Sequence, residues 1–147
     1  MGIEALIKGS ERLTRVFGYW PSFHDAEIIW VRLVRGERPE EGFAGPSIEM
    51  SIHTFEITNE VAPTGFLILK NHVLVHFQFT KVVNVKLEDF NHQNVLFNLR
   101  IADIRQDQLE SINFAISLDS SFGLSGRFRC KAAEILAVTP CDANGNA

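Results

Sequence analysis

From Ala26 onward, apolar side chains recur at every second position in run after run. Ala26–Arg35 is rich in Ile, Val and Trp. Ile48, Met50 and Ile52 alternate with Glu49, Ser51 and His53, and Val73, Val75, Phe77 and Phe79 alternate with Leu74, His76, Gln78 and Thr80. The pattern returns in Val95–Ile101 and in Ile112–Leu118, and Phe122, Leu124, Phe128 and Cys130 continue into Ala133–Val138. Asn84–Leu87 adds a short strand. Neighbouring side chains of an extended chain point to opposite faces, so a period of two gives each strand one apolar face. Strands of that kind form an antiparallel sheet with one face on a core. Gly36–Pro46, with Gly36, Gly42, Gly45, Pro39 and Pro46, reads as a loop, and Val61–Gly65 turns the chain at Pro63.

Only residues 3–17 carry a different period. Ile3, Leu6, Ile7, Leu13, Val16 and Phe17 recur near 3.6 residues, opposite Glu4, Lys8, Glu11, Arg12 and Arg15, and Gly18 ends the pattern as a helix terminator. The expected fold class is therefore α+β, mostly β. An N-terminal helix precedes a six- or seven-stranded, strongly curved antiparallel sheet, either a partial barrel or a sheet packed on the helix.

The 147 residues fit a single domain, 1–147, with a frayed polar tail at 140–147. A chain of this size buries roughly 70% of its unfolded surface and needs no disulfide or metal staple. Cys130 and Cys141 lack the spacing of a zinc site or a CxxC pair and read as free thiols of a reducing cytoplasm. The start of the chain has no basic segment followed by an apolar run, so it does not read as a signal peptide. The most apolar window, Phe66–Phe79, is interrupted by Lys70, Asn71, His72 and His76 and does not span a bilayer. The net charge of −4 argues against a nucleic-acid partner, which calls for a basic patch or stripe.

Two polar clusters stand out. The first is Tyr19-Trp20-Pro21-Ser22-Phe23-His24-Asp25-Ala26-Glu27, at the switch from helical to strand period. Pro21 fixes its own φ and pushes Trp20 towards an extended backbone. That places the indole against the helix end or the sheet; exposed, Trp20 and Tyr19 would serve as binding anchors. In an extended chain His24 and Asp25 face opposite sides, whereas Asp25 and Glu27 share one, so no metal or cofactor site is expected. Asp25 would instead accept backbone N–H bonds in the turn, with His24 packed beside Trp20. The second cluster, Asn91-His92-Gln93-Asn94, is either a hydrogen-bonded loop or a partner-binding surface. His72 and His76, in a strand, lie roughly 13 Å apart and cannot share an ion. No catalytic or phosphate-binding signature occurs.

The run Phe17–Glu27, followed by an aromatic-rich strand, and the run Phe90-Asn91-His92-Gln93-Asn94-Val95-Leu96-Phe97 resemble the two signatures of the immunity protein 50 family of bacterial polymorphic toxin systems. The resemblance covers nearly the whole chain. It implies a protein that binds and neutralises a cognate toxin made by the same cell, with no catalytic residue and no cofactor. Tyr19, Trp20, His24, Asp25, Glu27, Asn91, His92, Gln93 and Asn94 are its partner-binding candidates. Two other readings stay open: a small-ligand-binding protein or enzyme using residues 24–27 and His92, and a homodimer formed through a sheet edge.

Overall fold

The structure, a computed structural model, describes residues 2–36, 45–107 and 111–147. One helical turn, Ile3–Leu6, precedes the helix α1, Glu11–Phe17. Eight strands follow: β1 Glu27–Val34, β2 Ser47–Val61, β3 Leu67–Thr80, β4 Val83–Glu88, β5 Val95–Asp103, β6 Phe114–Phe122, β7 Ser125–Cys130 and β8 Ala132–Pro140. They form one sheet in the order β4-β7-β6-β5-β1-β2-β3-β8, antiparallel at each registered pair and open at β4 and β8. The mostly-β class and the antiparallel sheet agree with the sequence pattern. The strand count does not: there are eight among the described residues, because the run expected to continue from Phe122 into Val138 is two strands. Residues 37–44 of the expected Gly36–Pro46 loop lie outside the described residues.

The sheet has two halves. β1, β2, β3 and β8 are joined by long ladders, as are β5, β6, β7 and β4. Between the halves, β1 and β5 share one registered pair, Glu27 with Val95. On the far side, β7 passes into β8 through Lys131 alone, and the Lys131 amide donates to the Thr80 carbonyl at 2.9 Å. The sheet therefore folds over, and Phe79 of β3 meets Phe128 of β7 with ring centroids 5.2 Å apart. Ile48, Met50 and Ile52, Val75 and Phe77, Ile116 and Leu118, and Ile135 fill the interior.

The expected helix over 3–17 is broken. Gly9 sits at φ +81, and a Cβ there would lie 2.3 Å from the Ile135 carbonyl oxygen. The chain runs extended at this point, with Lys8 bridged to Glu134 of β8. Only Glu11–Phe17 is α-helical; it buries Leu13 and Phe17 and ends at Gly18, whose φ of +83 permits the terminating turn.

Candidate functional site

The two polar clusters meet at the junction of the sheet halves. The Asp25 amide donates to the Leu96 carbonyl at 2.9 Å, the Leu96 amide to Ala26 at 2.8 Å, and the Ile28 amide to Asn94 at 2.8 Å. These backbone bonds, with the Glu27–Val95 pair, make the first cluster a seam between β1 and β5. Glu27 is also in register with His53 of β2, so it belongs to both halves.

Large side chains anchor the seam from beneath. Phe23 is 1% exposed and packs edge-on to Trp20 and Phe77, each at 5.7 Å between ring centroids. Trp20 is half-buried against the core and also meets Phe77. Tyr19 is half-exposed, 6.1 Å from the Phe17 ring. Phe23 and Asp25 have φ of +65 and +64, a left-handed conformation that costs of order 1–3 kcal/mol per non-glycine residue. The packing of Phe23 and the bonds to β5 hold it in place.

That backbone overturns one expectation. His24 and Asp25 do not point to opposite faces, because strand alternation begins only at Glu27. Their side chains lie together on the surface, His24 Nε2 being 3.6 Å from Asp25 Oδ2. Nor does His24 pack beside Trp20. Its ring stands edge-on to Phe97 at 5.4 Å, and Nδ1 donates to the Phe97 carbonyl at 2.9 Å. In the neutral ring this leaves Nε2 as the free nitrogen facing Asp25. The Asp25 carboxylate, expected to hold backbone amides, makes no hydrogen bond among the described residues.

The polar group that organises the turn is Asn94. It is 3% exposed. Its Oδ1 accepts from the amides of Asn91 and Leu124, each at 3.0 Å, and its Nδ2 donates to the Asn91 carbonyl at 2.8 Å. Gly123 allows this contact, since a Cβ there would lie 2.7 Å from Asn94 Oδ1. Asn91 holds the loop locally, accepting from the Gln93 amide at 2.9 Å. His92 and Gln93 are exposed, and their side chains have no hydrogen bond among the described residues. Neither a hydrogen bond nor a ring contact joins His92 to residues 24–27. A depression of about 140 Å³ beside the seam is lined by His24, Tyr19 and Ile57 but not by Asp25, Glu27 or His92. The four ionisable side chains of the enzyme reading thus do not converge there.

Two features were not foreseen. His53 and His72 hydrogen-bond ring to ring at 2.9 Å, with the Phe55 ring beside both. Burial, then the neighbouring His72, holds the His53 pKa below its usual value, against an opposing pull from Asp142. Beyond this pair, β2 and β3 leave their neighbours: β1 follows β2 only as far as His53, and β8 follows β3 only to Val73. Residues 54–72 form a two-stranded arm whose outer part exposes Ile57, Val61, Phe66, Leu67, Ile68 and Leu69. Phe66, at 77%, is the most exposed large apolar residue among those described.

Both cysteines are unbridged; burial pushes the Cys130 thiol up to about 12. Among the described residues no three His, Cys, Asp or Glu side chains are grouped to hold a metal ion, and no helix is long and apolar enough to cross a membrane.

The molecule is thus an open antiparallel sheet with one short helix, a crowded polar seam and exposed aromatic side chains beside it. The chain belongs to the immunity protein 50 family, whose profile matches residues 9–141. No curated protein and no solved structure matches it.

Proposed function

We propose that this protein is a non-catalytic immunity protein, which binds a cognate toxin of a bacterial polymorphic toxin system in the cytoplasm and neutralises it by covering the toxin's active site. Family membership carries this reading. Covering an active site takes an interface of roughly 800 Å² per partner. The exposed seam supplies suitable groups: Tyr19, His24 and Asp25, with Phe97 beside them. Tyrosine and other aromatics are favoured anchors in such contacts. Asn91, His92 and Gln93 extend the surface, whereas Trp20 and Asn94 support it from beneath and Glu27 joins the two half-sheets through its backbone pairing.

The test is co-expression with the toxin-like gene that neighbours this one in its genome. Cells carrying both should grow, and cells carrying the toxin alone should not. Continued killing in the presence of well-folded protein would refute the proposal. A Tyr19→Ala/His24→Ala variant that folds normally yet no longer protects would place the contact at the seam.

A further inference from the structure

The outer face of β5, β6 and β7 carries a charge opposite in sign to the whole molecule. Two cross-strand rows lie side by side. Arg100 is in register with Ser117, Ser117 with Arg127, and Arg127 with Lys86 of β4; in the next row Ala102 is in register with Ala115, and Ala115 with Arg129. The alternate residues Ile116, Leu118, Phe128 and Cys130 are buried, so the arginines point outward. Short side chains at 102, 115 and 117 lie between long ones, and the result is a groove of about 420 Å³ with a floor of Ala102, Ala115 and Ser117 and walls of arginine.

The cations in and beside this groove are not equivalent. Arg100 is fixed by Asp119, with Nε 2.7 Å from Oδ2 and Nη2 3.2 Å from Oδ1, and Lys86 faces Glu88 at 3.1 Å. Arg127 and Arg129 have no hydrogen bond or ion pair among the described residues. Four cations therefore face two carboxylates, and the surplus is two unpaired guanidiniums on one strand, in a chain of net charge −4. Guanidinium favours paired, planar contact with carboxylate oxygens. Residues two apart on a strand are roughly 7 Å apart, which matches carboxylates on alternate residues of an extended segment.

We propose that this groove docks an acidic segment of a partner protein, the carboxylates seated on Arg127 and Arg129 with Arg100 held ready beside them. The proposal rests on the immunity reading and names the chemistry of the toxin surface that meets this face. A nucleic-acid occupant is disfavoured: it would call for a run of phosphate contacts, and here Glu88 and Asp119 flank the groove within an acidic chain.

The probe is a fluorescein-labelled peptide of alternating Glu and Ser, titrated with the protein and followed by anisotropy at low ionic strength. It should bind, and Arg127→Ser/Arg129→Ser should weaken binding by at least about tenfold, the equivalent of losing one charge-assisted contact. Arg12→Ser/Arg15→Ser removes the same charge from exposed positions on α1 and should change binding less than about twofold, through screened long-range attraction alone. Thermal unfolding of both variants confirms their folding, and Arg127→Gln alone gives a milder second variant. Absence of binding, or equal weakening by the two double variants, overturns the proposal. So does inorganic phosphate or a single-stranded oligonucleotide that competes as well as unlabelled peptide. None of these results touches the growth test above, so failure of the groove and failure of the immunity reading are separately visible.

Discussion

The seam and the arm are both departures from a regular sheet, and they are built in opposite ways. At the seam one registered pair joins two half-sheets, yet the site is crowded with large and polar groups: Phe23 and Trp20 beneath, Asn94 within, His24 and Asp25 above. The arm keeps a ladder, interrupted by two register shifts, with Glu56 opposite Lys70 and Ile57 opposite Leu69, and almost nothing packed on its outer part. Little ladder with much side-chain support makes a rigid junction. A ladder with little support makes a projecting element, since an isolated two-stranded ribbon is marginally stable in water. Unusual composition in this chain therefore marks where the fold is joined, whereas the ordinary-looking apolar residues Phe66–Leu69 mark where it is exposed.

Substitutions can break or sharpen this contrast. Phe23→Ala removes a fully buried ring from beneath the seam and should cost about 3–5 kcal/mol in urea unfolding. A cost under about 1 kcal/mol would mean that the seam does not depend on its packing. Asn94→Ala leaves the buried Leu124 amide and the Asn91 amide without their acceptor and should cost about 2–3 kcal/mol.

The third test is pH. Because the folded-state pKa of His53 is depressed, the folded protein takes up its proton less readily than the unfolded chain. The stability this contributes is complete above about pH 6.5, the ordinary histidine value, and is lost as pH falls from there through the folded-state pKa. The acid loss should be flattened in His53→Gln, and hydrogen exchange should show amides at 57–69 loosening before those at the seam. The smallest effect belongs to the arm. Phe66→Ser should change unfolding free energy by less than about 0.5 kcal/mol, because little is buried there. Light scattering should show less self-association than in the parent, since the substitution shrinks an exposed apolar patch.

Much of the fold was legible because alternation reports the inward face. Ile48, Met50 and Ile52, or Phe77 and Phe79, follow the period and are buried. The split into β7 and β8 is also written in the chain, as a change of parity: Phe128 and Cys130 are inward at even positions, Ala133 and Ile135 at odd ones, with Lys131 between. The break at Gly9 was not legible, since it depends on a carbonyl 126 residues away, at Ile135. At the site, the extended-chain rule separated His24 from Asp25. It failed because left-handed backbone at Phe23 and Asp25 replaces alternation there. The weight placed on Asp25 rather than Asn94 has a similar cause. Both residue types hold turns, and only tertiary packing decides which is buried. The pairing of His53 with His72 needs the β2–β3 register, which spacing alone does not give.

The one-residue passage from β7 to β8 has a consequence for how the molecule comes apart. β8 completes the first half-sheet by pairing with β3, but its position is set by β7, which lies inside the second half. Each half thus borrows its last strand's placement from the other. Fragments cut between the halves should not refold separately, and denaturation should be a single cooperative event, with the two halves lost together rather than in turn.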